Sequence, residues 1–137
     1  MNPILAIDYG KIRTGIAITD NLQMIASALT TVETNQLFEY LTRCINENKV
    51  EILVIGLSKN LKNELNEIEM EISVFIQKIK TVFPTLKIER VDERFTSKMA
   101  SVSIFESGLN KKNRKNKALI DQVSATIILQ SYLATKL

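Results

Sequence analysis

The chain has 137 residues, of which 45% are apolar, so it can bury the core of one domain but has no room for a second catalytic domain. It contains no His and only one Cys, which excludes His-based zinc sites, Ser-His-Asp triads and internal disulfides. The formal net charge is modest, at +3. We therefore expect a single domain over residues 1–137 whose chemistry comes from carboxylates, Lys, Tyr, Ser or Thr.

The basic residues are unevenly distributed along the chain. Five of the 18 Lys and Arg residues fall in one short stretch, which predicts contact with a polyanion at one edge of an otherwise slightly acidic protein. The alternative, from charge alone, is a solvated loop. This basic segment comprises Lys111, Lys112, Arg114, Lys115 and Lys117.

The first part of the chain predicts an antiparallel meander. An apolar run over residues 4–8 predicts a buried strand. Because that run ends at Asp8, it is too short for a signal peptide or a membrane span, and we expect a cytoplasmic protein without a membrane partner. Residues 15–19 and 24–32 predict the next two strands, and the polar stretch 11–14 predicts a hairpin turn.

One helix and one strand are predicted next. From Thr34 the apolar residues recur with a helical period, and Thr34 or Asn35 could cap this helix. Cys44 falls on the apolar face of the helix, where it would fill the core. The continuous apolar run 50–57 predicts a strand that is covered on both faces.

The remaining elements complete an α/β pattern. A long helix has an apolar stripe from Leu65 to Ile79 and cannot continue past Pro84. The resulting order, βββαβαβαα, predicts a mixed sheet in which three antiparallel strands are followed by parallel ones. The last three elements are a strand over 86–92, a helix from 96 or 97 to 107, and a helix over 120–134.

Acidic side chains stand at the ends of three predicted elements: Asp8, the pair Asp92 and Glu93, and Asp121. Functional groups of open α/β sheets usually occupy such positions. If the last strand is parallel to the first, its carboxyl end comes beside Asp8. The alternatives are an Asx turn for Asp8, a surface ion pair between Asp92 or Glu93 and Arg94, and helix capping by Asp121.

Taken together, these acidic positions predict metal-dependent chemistry. Without His, hydrolysis of a phosphodiester needs metal to activate water and to neutralise charge, and two ions about 3.5–4 Å apart can do both. Hard cations such as Mg²⁺ prefer oxygen ligands, so several carboxylates are the expected equipment. The chain offers that set and little else, which favours a nuclease.

Four motifs, in order over nearly the whole chain, resemble the YqgF (RuvX) family. Members of this family are described as Holliday-junction resolvases and as nucleases that mature the precursor of small-subunit ribosomal RNA. Any one motif alone is weak, but four in register are a strong resemblance. The motifs are AIDYGKIRTGIA over 6–17, VIGL over 54–57, DERFTS over 92–97, and IDQVSA with ILQSYL over 120–133.

The resemblance implies a ribonuclease-H-like fold with a five-stranded mixed sheet flanked by helices. It also implies metal-dependent nuclease action, and from the preference of hard cations for oxygen ligands we expect the metal to be Mg²⁺, with Mn²⁺ as a substitute. The family's catalytic and metal-binding acids correspond to Asp8, Glu93 and Asp121, with Asp92 as a supporting ligand. Two hairpin glycines, Gly10 and Gly15, would allow the tight first turn.

Basic groups near these acids are candidates for holding phosphates, with solvent-exposed charge as the alternative. They are Lys11, Arg13, Arg94 and the basic segment. The chain departs from the family at Ser58-Lys59 and over 61–64. It departs again at Thr126, whose hydroxyl could bond back to its helix.

Several alternatives remain open from the sequence. The glycine-bounded first turn also resembles a phosphate loop of actin-like ATPases and sugar kinases, although those need two lobes and a second phosphate motif. A non-catalytic nucleic-acid-binding module would use the fold without the chemistry. For a nuclease, the substrate could be precursor 16S ribosomal RNA or four-way DNA, and the protein could be a monomer or a homodimer.

Overall fold

The computed structural model describes residues 1–57, 67–92 and 117–136. The predicted helix over 96–107, Glu93, Arg94 and the basic segment up to residue 116 lie outside the described residues. The strands are β1 (Ile4–Asp8), β2 (Arg13–Thr19), β3 (Ala26–Glu33), β4 (Ile52–Leu57) and β5 (Lys87–Asp92). The helices are a 3-10 turn (Thr34–Gln36), α1 (Leu37–Asn48), α2 (Glu67–Val82) and α3 (Lys117–Ala134).

The strands form one mixed sheet in the order β3-β2-β1-β4-β5. β1 pairs antiparallel with β2 and β2 with β3, whereas β1, β4 and β5 run parallel. The predicted five-stranded mixed sheet is therefore confirmed, with β1 at its centre. β5 lies beside β4 and not beside β1, so one strand separates the last strand from the first.

The side chains of each strand alternate between two differently covered faces. On one face Leu5 and Ile7 pack with residues of α1 and α2, and Cys44 fills this core as predicted. We call this the α1/α2 face. On the other, the α3 face, Ile4 and Ala6 pack against α3. Ile72, Phe75 and Ile79, from the apolar stripe that predicted α2, pack on the α1/α2 face. The helical period of that stripe is therefore confirmed.

Thr34 does not cap α1, contrary to expectation. Its hydroxyl donates to the backbone carbonyl of Gly10 at 2.6 Å and lies 2.9 Å from the Thr14 hydroxyl. A 3-10 turn occupies residues 34–36, and α1 begins at Leu37 with no side-chain cap bond. The Thr34 hydroxyl is therefore used to brace the first hairpin. A bond to the hairpin and a bond that caps α1 are alternatives for the same hydroxyl, and the hairpin bond is the one formed.

The boundaries of β2 and α3 also differ from the predicted ones. β2 begins at Arg13 and not at residue 15, because Arg13 and Thr14 pair with the end of β3. α3 begins at Lys117 and not at residue 120, so Lys117 belongs to a helix and Asp121 is the fifth residue of that helix. The hydroxyl of Thr126 bonds back to the Gln122 carbonyl at 2.9 Å, as expected.

An ion pair with one buried partner fastens α2 to the carboxyl end of β4. Arg90 of β5 donates to Glu69 at 2.7 Å and also to the backbone carbonyls of Ile55 and Gly56. Glu69 is only 5% exposed, so removal of Arg90 would take a charged partner away from a buried carboxylate. None of the described helices is long and apolar enough to cross a membrane.

Candidate active site

Asp8 is the last residue of the central strand and is partly buried. Alternation along β1 puts it on the same face as Ile4 and Ala6, which is the face that α3 covers. Its partner in the antiparallel ladder with β2 is Gly15. Asp8 therefore sits where the central strand ends, on the α3 face.

Gly15 brings the backbone of α3 to this position. A Cβ atom added to Gly15 would lie 2.0 Å from the backbone oxygen of Asp121 and 2.3 Å from its carbonyl carbon. Real side chains never approach backbone that closely, so only glycine permits the contact. Gly15 was expected to shape the hairpin, and its actual constraint is this helix. Gly10 does shape the turn, because its Cβ would lie 2.2 Å from the Arg13 carbonyl oxygen.

A second contact fixes the beginning of α3. The Thr31 hydroxyl of β3 donates to the carbonyl of Ala118 at 2.7 Å. Thr31 pairs with Gly15, which in turn pairs with Asp8, so the three residues form one row across the sheet. The first turns of α3 lie over this row, and Asp8 and Asp121 are therefore brought to the same region.

Arg13 forms an ion pair with Asp121, with 2.7 Å between its Nε and Oδ2 of the carboxylate. The two side chains are 36% and 22% exposed, so the pair is partly shielded from water. Since Asp121 lies inside α3, the alternative of helix capping is wrong. Arg13 had been considered as a phosphate contact, and in the structure its guanidinium is bound to a predicted metal ligand.

Asp92 ends β5 at the same edge of the sheet, paired with Leu57 of β4. Because β4 intervenes, β5 and β1 are two strand spacings apart, about 9.5 Å. Ile88 and Arg90 of β5 face α2, so alternation puts Asp92 on the α1/α2 face, opposite to Asp8. Asp92 and Asp8 therefore lie on different faces, and Glu93 lies outside the described residues.

The described acids suit a hard cation. Asp8 and Asp121 supply carboxylate oxygens, which are the ligands that Mg²⁺ and Mn²⁺ prefer. Within residues 1–57, 67–92 and 117–136, no group of three or more His, Cys, Asp or Glu side chains is arranged to hold a metal. The predicted third acid, Glu93, is outside those ranges. The structure therefore gives the location of two of the three predicted catalytic residues, Asp8 and Asp121.

Tyr9 and Lys11, which lie close together in the first turn, have different environments. Tyr9 packs on Phe75 with ring centroids 5.8 Å apart, so it covers the core of the α1/α2 face. Burial, together with the nearby charge of Glu71, raises the pKa of Tyr9. Lys11 is exposed on the turn, where its charge remains accessible to a polyanion.

Sequence reasoning missed Thr31 and the pairing of Arg13 with Asp121. The signal for Arg13 was present, because positions 13 and 15 share one face of a strand and Gly15 marks a close backbone approach. For Thr31 we find no comparable signal, since a threonine in an edge strand is ordinary.

Solved structures with the same architecture identify the fold. A structure of RuvC from Thermus thermophilus in complex with a Holliday junction substrate has a TM-score of 0.59 and 13% identity, covering 99% of this chain and 96% of that one. A second structure of Thermus thermophilus RuvC has a TM-score of 0.57 and 11% identity, covering 98% and 96%. The chain therefore has the ribonuclease-H-like fold.

The chain belongs to the RuvX family. The family model, described as Holliday junction resolvase, matches residues 2–135, so the resemblance carried by the four motifs is confirmed. A relative from Bacteroides fragilis, named "Putative pre-16S rRNA nuclease", is 50% identical over 136 residues and 99% of each chain. A relative of the same name from Flavobacterium psychrophilum is 51% identical over 137 residues and all of each chain.

Proposed function

We propose that this protein is a divalent-metal-dependent nuclease that hydrolyses phosphodiester bonds of structured nucleic acid, acting in the cytoplasm on the 5′ end of precursor 16S ribosomal RNA. Membership of the RuvX family and the shared name of its half-identical relatives support a nuclease. The choice of ribosomal RNA precursor rests on the name of those relatives, which cover almost the whole chain.

One observation carries the metal-dependent part of the proposal. Asp8 and Asp121 are 113 positions apart in the chain, yet Gly15 pairs with one and contacts the backbone of the other. The fold thus brings two carboxylates from opposite ends of the chain to one region at the end of the central strand, on the face that α3 covers. Convergence of acids at the end of a central strand is what a metal-dependent site requires.

Asp8, Asp121 and Glu93 would hold the metal. When bound, Mg²⁺ or Mn²⁺ would supply charge neutralisation at the phosphate and activation of water. Glu93 is chosen over Asp92 as the main ligand because Asp92 lies on the opposite face of the sheet from Asp8. The carboxylates of this chain would position the cation, and the close backbone contact at Gly15 would keep Asp121 in place.

Cations elsewhere on the chain would hold the nucleic acid. Lys11 is exposed on the turn next to Asp8, and Arg94 follows Glu93 directly in the sequence. The basic segment adds five positive charges in seven positions, enough to track several phosphates. These residues would position the backbone without reading its bases.

Cleavage of four-way DNA is a second candidate substrate activity. It is favoured by the family description as Holliday junction resolvase and by the shared fold with RuvC. The carboxylate chemistry would be the same for either substrate, because both present the same phosphodiester linkage. The substrate must therefore be decided by experiment.

The test is a cleavage panel in Mg²⁺. Wild-type protein is offered a precursor 16S leader, a four-way DNA junction and single strands of RNA and DNA, next to Asp8→Asn. We expect cleavage of the precursor leader, and we expect Asp8→Asn to slow it by more than about 100-fold, since loss of even an outer-shell partner costs about 10–100-fold. Binding to the substrate should persist in the variant.

Asp20→Asn is the matched control. Asp20 is exposed at the opposite end of β2, and its side chain accepts bonds from the backbone of Met24 and Ile25, which Asn can also accept. This variant should cleave like the wild type. Equal cleavage by Asp8→Asn and wild type would overturn the proposed site, and tight binding without any cleavage by wild type would favour a binding module.

A further inference from the structure

The ion pair between Arg13 and Asp121 is more than an incidental surface contact. Both side chains are partly shielded, and the residues are 108 positions apart in the sequence. The close approach of Gly15 holds the backbone of Asp121, and Thr34 braces the turn that leads into Arg13. Both partners are thus held by the fold, so little backbone freedom is lost in forming the pair.

The bond to Asp121 uses part of the hydrogen-bonding capacity of Arg13. Its Nε donates to the carboxylate at 2.7 Å, and a phosphate that approached this nitrogen would have to compete with that charge-assisted bond. Lys11, two residues earlier, is exposed on the same turn. The two cations of the first turn therefore have different environments, and we expect them to have different roles.

We propose that Arg13 is the internal counter-ion of Asp121, acting on this carboxylate and not on substrate phosphate, and that a divalent cation competes with Arg13 for it. The inference rests on the proposed function, because it takes Asp121 as a metal ligand. In this pair the guanidinium neutralises Asp121 and fixes the orientation of its carboxylate. Arg13 is in this sense a positioning residue, since it acts through Asp121.

The competition has a measurable consequence. A fixed positive charge a few ångströms from a divalent cation opposes its binding, and bulk water and salt reduce this effect without removing it. Replacement of Arg13 by a neutral residue should therefore tighten Mg²⁺ binding. A purely structural role would give the opposite result, since a disordered carboxylate binds metal less well.

The experiment is a titration of Mg²⁺ against wild type, Arg13→Gln, Arg13→Lys and Lys11→Gln, followed by the thermal unfolding midpoint. In Arg13→Gln a given rise of the unfolding midpoint should need an Mg²⁺ concentration lower than in wild type by about threefold or more. Arg13→Lys keeps the charge and should stay close to wild type. Lys11→Gln removes a positive charge from the same turn. It should change the Mg²⁺ concentration needed for a given stabilisation less than Arg13→Gln does.

A second measurement separates Arg13 from the phosphate-binding residues. Affinity for a four-way DNA junction is measured in EDTA over a range of salt concentrations, where each lost phosphate contact lowers the slope of log affinity against log salt by about 0.9. We expect an unchanged slope for Arg13→Gln. A drop of about one contact would overturn the inference, since Arg13 would then be bound to phosphate.

The outcomes distinguish this inference from the proposed function. If Mg²⁺ stabilises wild type but Arg13→Gln needs the same or more Mg²⁺, the counter-ion role is wrong and the nuclease proposal stands. If Mg²⁺ neither stabilises wild type nor supports cleavage, both are overturned. The unfolding midpoints in EDTA and the circular dichroism of each variant show that the compared proteins are folded.

Discussion

The two faces of the sheet share aliphatic packing but differ in how closely their helices approach. On the α1/α2 face, large aliphatic side chains such as Leu41 and Ile72 are fully buried. On the α3 face, Leu129 is fully buried as well, but Gly15 and Ala17 let the backbone of the helix come close to the sheet. Both proposed metal ligands within the described residues lie on this second face.

The difference indicates that the α3 face contributes both stability and the geometry of the site. Aliphatic packing contributes free energy of unfolding but tolerates small adjustments of position. The close backbone contact at Gly15 fixes where α3 lies, and therefore where Asp121 lies. A substitution in the α1/α2 core should therefore affect mainly stability. A substitution at the close contact with α3 should affect mainly metal binding.

The largest effect on stability is expected from Leu41→Ala. Leu41 is fully buried on the α1/α2 face, so its truncation leaves a cavity and should lower the free energy of unfolding by about 2–5 kcal/mol. Chemical denaturation measures the loss. In the folded fraction, the Mg²⁺ concentration that gives half-maximal cleavage should be unchanged. A change in that concentration would mean that the two faces are coupled.

Gly15→Ala should have a smaller effect on stability and a larger one on the site. The added Cβ would meet backbone of α3 at 2.0 Å, so the helix must move, at about 1–3 kcal/mol as for other overpacked positions. Since Asp121 moves with the helix, Mg²⁺-dependent stabilisation and cleavage should both be lost. Retention of full cleavage would contradict the view that α3 is positioned by this contact.

The smallest effect concerns Cys44 of the α1/α2 face. Burial raises the pKa of the Cys44 thiol, so the native thiol should react with a thiol reagent at least about 10-fold more slowly than in urea. The thiol's contribution to stability is complete below its ordinary pKa, and is lost as pH rises through the raised one. Compared with Cys44→Ala, wild type should lose stability more steeply above about pH 9. Equal slopes and rapid native labelling would show an accessible thiol.

Much of the fold could be predicted because it depends on local patterns. The apolar run of β1, the continuous run of β4 and the helical stripe of α2 each reflect burial, which periodicity reports directly. Element boundaries were less predictable, as for Thr34, because a hydroxyl that could cap a helix instead bonded to a distant turn.

The candidate site was predictable as a set of acids but not as a geometry. The motifs identified Asp8 and Asp121, whereas the pairing of Asp121 with Arg13 spans 108 positions, and the sequence marks only the Arg13 side of it, through Gly15 on the same face. It also depends on α3 beginning at Lys117, three residues earlier than the period indicated. Asp92 lies on the opposite face of the sheet from Asp8. Alternation along β5 gives this result only once Ile88 and Arg90 are known to face α2.

Anomalous diffraction from crystals grown with Mn²⁺ tests the proposed metal site most directly. We expect an anomalous peak in contact with carboxylate oxygens of both Asp8 and Asp121, with the Arg13 guanidinium drawn away from Oδ2 of Asp121. If saturating Mn²⁺ gave no peak between these two residues and left the Arg13–Asp121 pair intact, the carboxylates would not be a metal site.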